Sequence, residues 1–435
     1  MLLPIIIFCI TYLFIVTEKV DKTIAALLGA AAVIMLHVIP SEEALIKVDL
    51  NVIFLLIGMM IIVTVLSETG VFEWVAIKTA QIARGNGLII TLLFVTTTAV
   101  FSAFLDNVTT VILIAPITIL IAQILEIPVV PLLILESIFS NIGGTATLVG
   151  DPPNILIGSQ TNLSFNDFII NLGPVIAVVL LAGVALVALV YRSKLKTTPT
   201  ARERITTARP ERAILEPVKL KRSMIIFGLI LLGFFLGRLM DWEPGIVALA
   251  GGLVMILVTR SDLHQVMRKV EWGTILFFAG LFMLVGALEF NGIFERLGSL
   301  VLTLCSGHLL LTAITILWFS AITSAIVDNI PLVMAMIPLV KSIIPAFATQ
   351  MGLSDPAMIH SQIESPLFWA LALGACLGGN GTLVGASANV VVAQIARRNA
   401  YSLTFWNFTR QGLPYMFMSL IISTVYIYLR YFIHM

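Results

Sequence analysis

Charge is scarce in this chain: 11% of its 435 residues are Asp, Glu, Lys or Arg, while 59% are hydrophobic. A water-soluble domain so poor in charge could not clothe its surface, and apolar segments of about 17 residues, the length that spans a bilayer core, follow one another along the chain. An integral membrane protein is expected. Cysteine is scarcer still, and Cys9, Cys305 and Cys376 are too few and too scattered for a disulfide frame or a metal centre. A net charge of +1 offers no argument for nucleic acid, and no nucleic-acid partner is expected. The first apolar run starts at Leu2 with no basic leader, and no small-residue cleavage site precedes Thr17-Glu18-Lys19, so it reads as the first span.

What the chain does contain, it contains twice. SAFLDNVTTVILIAP (Ser102–Pro116) returns as SAIVDNIPLVMAMIP (Ser324–Pro338), 222 positions later, and Val48, Gly58 and Gly70 match Val270, Gly280 and Gly292 at the same offset. GGTATLVGDPPN (143–154) then matches GGNGTLVGASAN (378–389) at an offset of 235, because the second copy gains 13 residues. The domains are therefore a first repeat over 1–190, a polar linker over 191–223 and a second repeat over 224–435. The linker carries ten Lys or Arg against three Glu, which places it in the cytoplasm.

Each repeat reads as spans a, b and c (51–67 in the first copy), an interfacial amphipathic stretch (70–86) held by Phe72 and Trp74, and a two-armed element (88–104 and 108–125). A Gly/Pro-broken span (131–158) and a closing span (172–190) follow. A two-armed element that returns to the side it left gives each repeat five crossings, an odd number, so the copies are inverted. The fold class expected is thus an all-α polytopic membrane protein of two inverted repeats, each with about five spans, a re-entrant hairpin and a broken helix. Of the 25 Lys and Arg residues, 20 fall on the cytoplasmic side of this scheme and five (Lys47, Arg238, Arg296, Lys341, Arg430) outside, with both termini external. The count does not separate a re-entrant hairpin from two full spans.

A carboxylate at bilayer depth costs roughly 2.5 to 3.5 kcal/mol on insertion scales, so Asp106 and Asp328 call for a cause; a solvated loop is the bland alternative. Their neighbours Asn107, Thr109 and Asn329 offer oxygens of the kind that hold a small cation or a hydroxylated solute. Inverted repeats with discontinuous segments are how many secondary transporters build a midplane site. The breaks here carry Gly143, Gly144, Thr145, Thr147, Asp151 and Asn154 in the first copy and Gly379, Asn380, Thr382 and Asn389 in the second. Paired glycines also serve close helix packing. Asp151, opposite Ala386 in the repeat, is either an asymmetric coupling residue or a capping acid. Glu136 is either an interhelical contact or a proton carrier, and Cys376 reads as a small buried residue.

In DNVTTVILIAPI, GGTATLVGDPPN, VEWGTILFFAGLFML and ALALGACLGGNGTLVGASANVV the chain resembles the ion transporter superfamily, in its arsenite efflux pump and P protein (pink-eyed dilution) branch. The likeness covers all but the linker. It implies re-entrant hairpins tipped by the Asp-Asn pairs, an elevator-type transport domain and a homodimer. Sodium-coupled dicarboxylate carriers are distantly similar but typically have Ser-Asn-Thr at the tips and Thr at the position of Asp151. Here the tips read Asp106-Asn107-Val108 and Asp328-Asn329-Ile330, and such carboxylates repel a dianion by several kcal/mol at low dielectric. The expectation is a secondary active transporter in the cytoplasmic membrane, not an enzyme, that exports arsenite or antimonite with H+ or Na+ as coupling ion and no cofactor. The rivals are a sodium/proton antiporter, an anion channel and a sodium-coupled carboxylate carrier.

Overall fold

The computed structural model describes residues 2–433 except Glu18, Asn162, Ser193, Lys194, Lys196, Thr207, Ala208 and Ser306. The extreme termini, Met1 and His434–Met435, on which the external-termini expectation bears, lie outside the described residues. All regular structure within them is helical. The first half holds α1 (Leu2–Thr17), α2 (Lys22–Met35), α3 (Ser41–Ile46), α4 (Leu50–Ser67), α5 (Val71–Ile82), α6 (Gly87–Phe104), α7 (Asn107–Leu125), α8 (Val129–Gly144), α9 (Pro152–Thr161) and α10 (Phe165–Tyr191). After α11 (Pro199–Thr206), the second half holds α12 (Pro217–Met240), α13 (Pro244–Thr259), α14 (Leu263–Lys269), α15 (Trp272–Phe290), α16 (Ile293–Leu304), α17 (Leu309–Ser324) and α18 (Asn329–Gln350). It closes with α19 (Pro356–Ile359), α20 (Ser365–Gly378), α21 (Ser387–Arg398) and α22 (Phe405–Ile427). The order of helices repeats, and α19 lies in the 13-residue insertion.

Eight of these helices are long and apolar enough to cross a bilayer: α4, α6, α7, α10, α12, α15, α18 and α22, the last counted through to Phe432. Each hairpin is cut at its Asp-Asn pair, between α6 and α7 and between α17 and α18, where the carboxylate starts the second arm. Asp106 Oδ1 accepts the Thr109 N–H at 2.8 Å, and Asp328 Oδ1 accepts the Ile330 N–H at 3.2 Å. Each satisfies one of the orphan donors of a helix start. Asp49 and Asn86 cap α4 and α6 in the same way.

The halves exchange equivalent contacts. A Cβ on Gly58 of α4 would meet the Ala248 backbone of α13 at 2.3 Å, and one on Gly280 of α15 would meet the Ala26 backbone of α2 at 2.9 Å. Ion pairs mark the two ends of this group. Glu68, just past α4, holds Lys269, just before α15, at 2.9 Å, and Lys47, just before α4, holds Glu289 at the end of α15, also at 2.9 Å. Helix α15 thus runs antiparallel to α4, the helix it repeats. Likewise α22 runs against α10: Tyr191 donates to Gln411 at 2.5 Å near one end, and Arg430 to Asn171 at 3.1 Å near the other.

One local expectation is corrected. Phe72 points inward and meets Phe101 edge-on with centroids 5.4 Å apart, because α5 packs on the hairpin with its apolar face. The segment 191–223 packs in part on the first half: α12 begins inside it, Leu195, Ala201 and Ile205 are buried, and the Leu215 N–H donates to the Thr69 carbonyl at 3.1 Å. Among its described charges Arg192, Arg202, Arg204, Arg209, Arg212, Lys221 and Arg222 are exposed, while Lys219 pairs with Glu68 of the first half at 2.9 Å.

Candidate functional site

The two broken spans share their glycine approaches and several of their hydrogen bonds. In the first, the chain leaves α8 at Gly144 and re-enters helix at Pro152; in the second, it leaves α20 at Gly378 and re-enters at Ser387. A Cβ on Gly143 would lie 2.0 Å from the Ala99 carbonyl oxygen, and one on Gly378 2.4 Å from Ala321 backbone, so these glycines let each broken span press on the first arm of its hairpin. Gly144 and Gly150 face each other at 2.4 Å in the same sense, as do Gly379 and Gly385 at 2.9 Å. Ser102 donates to the Ser140 carbonyl at 2.7 Å and Ser324 to the Ala375 carbonyl at 2.6 Å.

Ending or breaking a helix frees carbonyls that must find donors, and the polar residues of the breaks supply them both within the breaks and to the ends of the first hairpin arms. The Thr147 hydroxyl donates to the Ala103 carbonyl and that of Thr382 to the Ala325 carbonyl. Asn154 Nδ2 donates to the Thr147 carbonyl and Asn389 Nδ2 to the Thr382 carbonyl, each at 2.9 Å. The Thr145 hydroxyl turns back to the Asn141 carbonyl at 2.7 Å.

Between the breaks the halves meet in a buried amide cluster. Asn107 Nδ2 donates to Asn141 Oδ1 at 3.1 Å, and Asn141 Nδ2 in turn reaches both Asn380 Oδ1 and Asn389 Oδ1 at 3.0 Å. Ser137 adds a 2.6 Å bond to Asn389 Oδ1. Asn329 Nδ2 lies 3.4 Å from Asp151 Oδ1, and the Cys376 thiol, the repeat mate of Asn141, 3.5 Å from Asn154 Oδ1. Asn107 Oδ1, Asn380 Nδ2 and Asp151 Oδ2 are buried without a hydrogen-bond partner. Burying such groups unpaired is costly, so they mark where a ligand group or cation gains most. Glu136, the residue before Ser137 on α8, accepts from Thr118 through one carboxylate oxygen, and its other oxygen is buried without a partner.

Above the cluster lies a cavity of about 420 Å³ to which both tip carboxylates, Asp106 and Asp328, contribute. The exposed Asp21 and Glu271 set its mouth at the end of the bundle where Glu68 meets Lys219 and Lys269. Lys22, Thr274, Ser387 and Gln394 also line it. These four and Glu271 are functional candidates that sequence reasoning missed; the available signal was Glu271 itself, which repeats the acid Asp49 at the offset of 222. The expected site is thus divided: the tips face the cavity, while Asn107, Thr109, Gly143, Gly144, Thr145, Thr147, Asp151, Asn154, Asn329, Gly379, Asn380, Thr382 and Asn389 are not among its lining residues. Thr109 is satisfied at Asp106 itself, donating both its N–H and its hydroxyl.

A second cavity, of about 700 Å³, opens toward the opposite end of α4. Its lining includes Asp49, Ile155, Ser159 and Glu243, the repeat mates of Glu271, Val390, Gln394 and Asp21 in the first cavity. Neither tip reaches it.

A family model described as "Citrate transporter" matches residues 12–361. An uncharacterized transporter of Mycobacterium tuberculosis is 42% identical over 98% of each chain. The P protein of Sus scrofa is 33% identical, matching 96% of this chain and 58% of its own length, in line with the P protein resemblance of the motifs. Among solved structures, the YdaH transporter of Alcanivorax borkumensis superposes with a TM-score of 0.59 at 13% identity, covering 88% of this chain and 85% of that one. That likeness concerns the fold.

Proposed function

Because the chain belongs to the citrate transporter family and is a multi-pass membrane transporter, we propose that it works as a secondary active carrier driven by H+ or Na+ at Asp106 and Asp328. The observation that carries this reading is the meeting of two tip carboxylates from opposite halves in one cavity. Intramembrane acids that face a water-reachable cavity are functional by default. The antiparallel course of α4 and α15 and of α10 and α22 supports inverted repeats, with alternating exposure of the tips at the two ends. The basic linker and the positive-inside rule support a cytoplasmic position for the end bearing Lys219 and Lys269, in a protein of the cytoplasmic membrane. A homodimer remains part of the proposal through resemblance alone.

For the solute, the carboxylates favour a neutral or weakly acidic hydroxide held by amides and hydroxyls, and export of arsenite or antimonite is the specific reading. Citrate is the second, favoured by the family description and by Lys22, which brings a positive charge to the cavity. A free citrate anion beside Asp106, Glu271 and Asp328 is repelled unless protons or cations accompany it. Purified protein in liposomes separates these readings. Arsenite, citrate and sodium tracers are offered under an imposed pH gradient and then a sodium gradient. Gradient-driven arsenite flux is the expected result; citrate flux selects the second reading, and sodium flux coupled to protons with no other solute selects the antiporter. Flux through single-channel currents instead of a saturable carrier rejects all three.

A further inference from the structure

The tips differ in what answers their second carboxylate oxygen. At Asp106 it accepts the hydroxyl of Thr109, from its own helix. At Asp328 it accepts the ammonium of Lys22, 306 residues away, at 3.3 Å, and the hydroxyl of Ser387 at 2.7 Å. Lys22 Nζ also bonds Ser387 Oγ at 3.1 Å and stands 5.1 Å from the centroid of the Phe277 ring. None of this exists in the first copy: the repeat mates of Lys22 and Ser387 are Pro244 and Pro152, and that of Thr109 is Pro331. Among the residues lining the cavity, Lys22 is the single cation, beside Asp21, Asp106, Glu271 and Asp328.

We propose that Lys22 is a tethered cation that occupies Asp328 in this conformation, leaving Asp106 as the tip open to the transported cation or proton. The inference rests on the reading of the tips as coupling sites. Lys22 begins α2, which is anchored on α15 by the Thr23 hydroxyl on the Gly273 carbonyl at 3.1 Å and by the close approach of Gly280 to Ala26. Asp328 and Ser387 belong instead to the second tip and broken span. The pair therefore spans two packed groups of helices, and any shift of α18 and α21 against α2 and α15 must part it. When it parts, Asp328 needs another cation and Lys22 is free to meet an anionic group of a solute. The tether thus makes the two tips unequal and links occupancy of the second to movement.

The apolar reagent dicyclohexylcarbodiimide, which attacks a carboxyl group carrying its proton, tests this without knowledge of the solute. The full-length protein in detergent is treated, and adducts at Asp106 and Asp328 are quantified by peptide mass spectrometry. Wild-type protein should be labelled at Asp106 and little at Asp328. Lys22→Met should raise labelling of Asp328 roughly fivefold, what a partly exposed ion pair is worth, with Asp106 unchanged. Lys22→Arg should behave as wild type, and Lys22→Gln replaces Lys22→Met if that variant is not recovered. Equal labelling of Asp328 with and without Lys22 overturns the tether. If the labelling pattern holds while Asp106→Asn and Asp328→Asn both transport normally, the coupling reading falls and the tether stands.

Discussion

The broken spans and the hairpin tips of this protein teach different lessons, although both are duplicated. The breaks at 143–154 and 378–389 repeat several of their hydrogen bonds closely, as the Asn154 and Asn389 bonds to the Thr147 and Thr382 carbonyls, both 2.9 Å, illustrate. The tips keep Asp and Asn but change every partner of the second carboxylate oxygen. Duplicated architecture is held where backbone must be satisfied, and divergence is allowed where charge is handled. A carrier of two equal halves has no reason to differ at the tips alone; one that couples ion and solute in a fixed order does.

The sharpest way to break the equality of the spans is to fill their crossings. Gly143→Ala and Gly378→Ala each force a methyl group into backbone at 2.0 Å and 2.4 Å, and each should cost about 3 kcal/mol or more and remove most folded protein from detergent extracts. Gly228→Ala, with nothing within 4 Å, should be neutral or slightly stabilising as helix propensity dictates. Thermal unfolding in detergent reads all three, and a large difference between Gly143→Ala and Gly378→Ala would contradict the equivalence.

Next in size are the asparagines. Both donate to the carbonyls of their own break, but Asn389 also accepts from Ser137 and Asn141, whereas Asn154 accepts only the long thiol contact of Cys376. Asn389→Ala should therefore cost about 2–3 kcal/mol and Asn154→Ala about 1 kcal/mol less, measured the same way. An equal loss would mean that the bonds between the halves carry no weight.

Much of this was legible in the sequence because repetition is visible without structure. A fixed offset through Gly58, Gly280, Asp106 and Asp328 announced the two halves and their tips. The hydroxyls and amides at the breaks were also conspicuous, but their destination was not: Thr147, Thr382, Asn154 and Asn389 read as solute groups and serve backbone carbonyls, the threonines at the ends of the first hairpin arms and the asparagines in the breaks. Their presence in both copies was the available signal, since a structural duty recurs wherever the break recurs. Lys22 could not be read at all. It lies 306 residues from its partner, has no repeat mate of its kind, and looks in sequence like one more cytoplasmic lysine. The docking of the linker was hidden because a few apolar residues sit among its ten cations.

The smallest expected effect concerns the two ends of the bundle. Burial pushes the Glu68 carboxyl up, but its bonds to Lys269 and Lys219 outweigh that and hold it below the usual carboxylate range. A depressed value in the folded state contributes stability that is present above the unfolded value, near 4.3, and is lost as pH falls through the folded one. Glu68→Gln should cost no more than about 1 kcal/mol at neutral pH, since solvent screens the pairs, and nothing in strong acid. At the other end Lys47 and Glu289 are 33% and 44% exposed, so Glu289→Gln should cost less still. Unfolding midpoints compared at neutral and acid pH would expose any reversal of that order.

The central claim is that the tip acids couple transport and do so unequally, and gradient-driven solute flux in liposomes tests it most directly. Wild type, Asp106→Asn and Asp328→Asn are reconstituted in equal amounts and the flux under an imposed pH gradient, then a sodium gradient, is compared. Asn keeps the volume and hydrogen-bonding capacity but cannot take up a proton or offer a cation a negative charge. The account predicts that Asp106→Asn abolishes gradient-driven flux and Asp328→Asn reduces it less. Wild-type flux with unchanged ion dependence in both variants would contradict it.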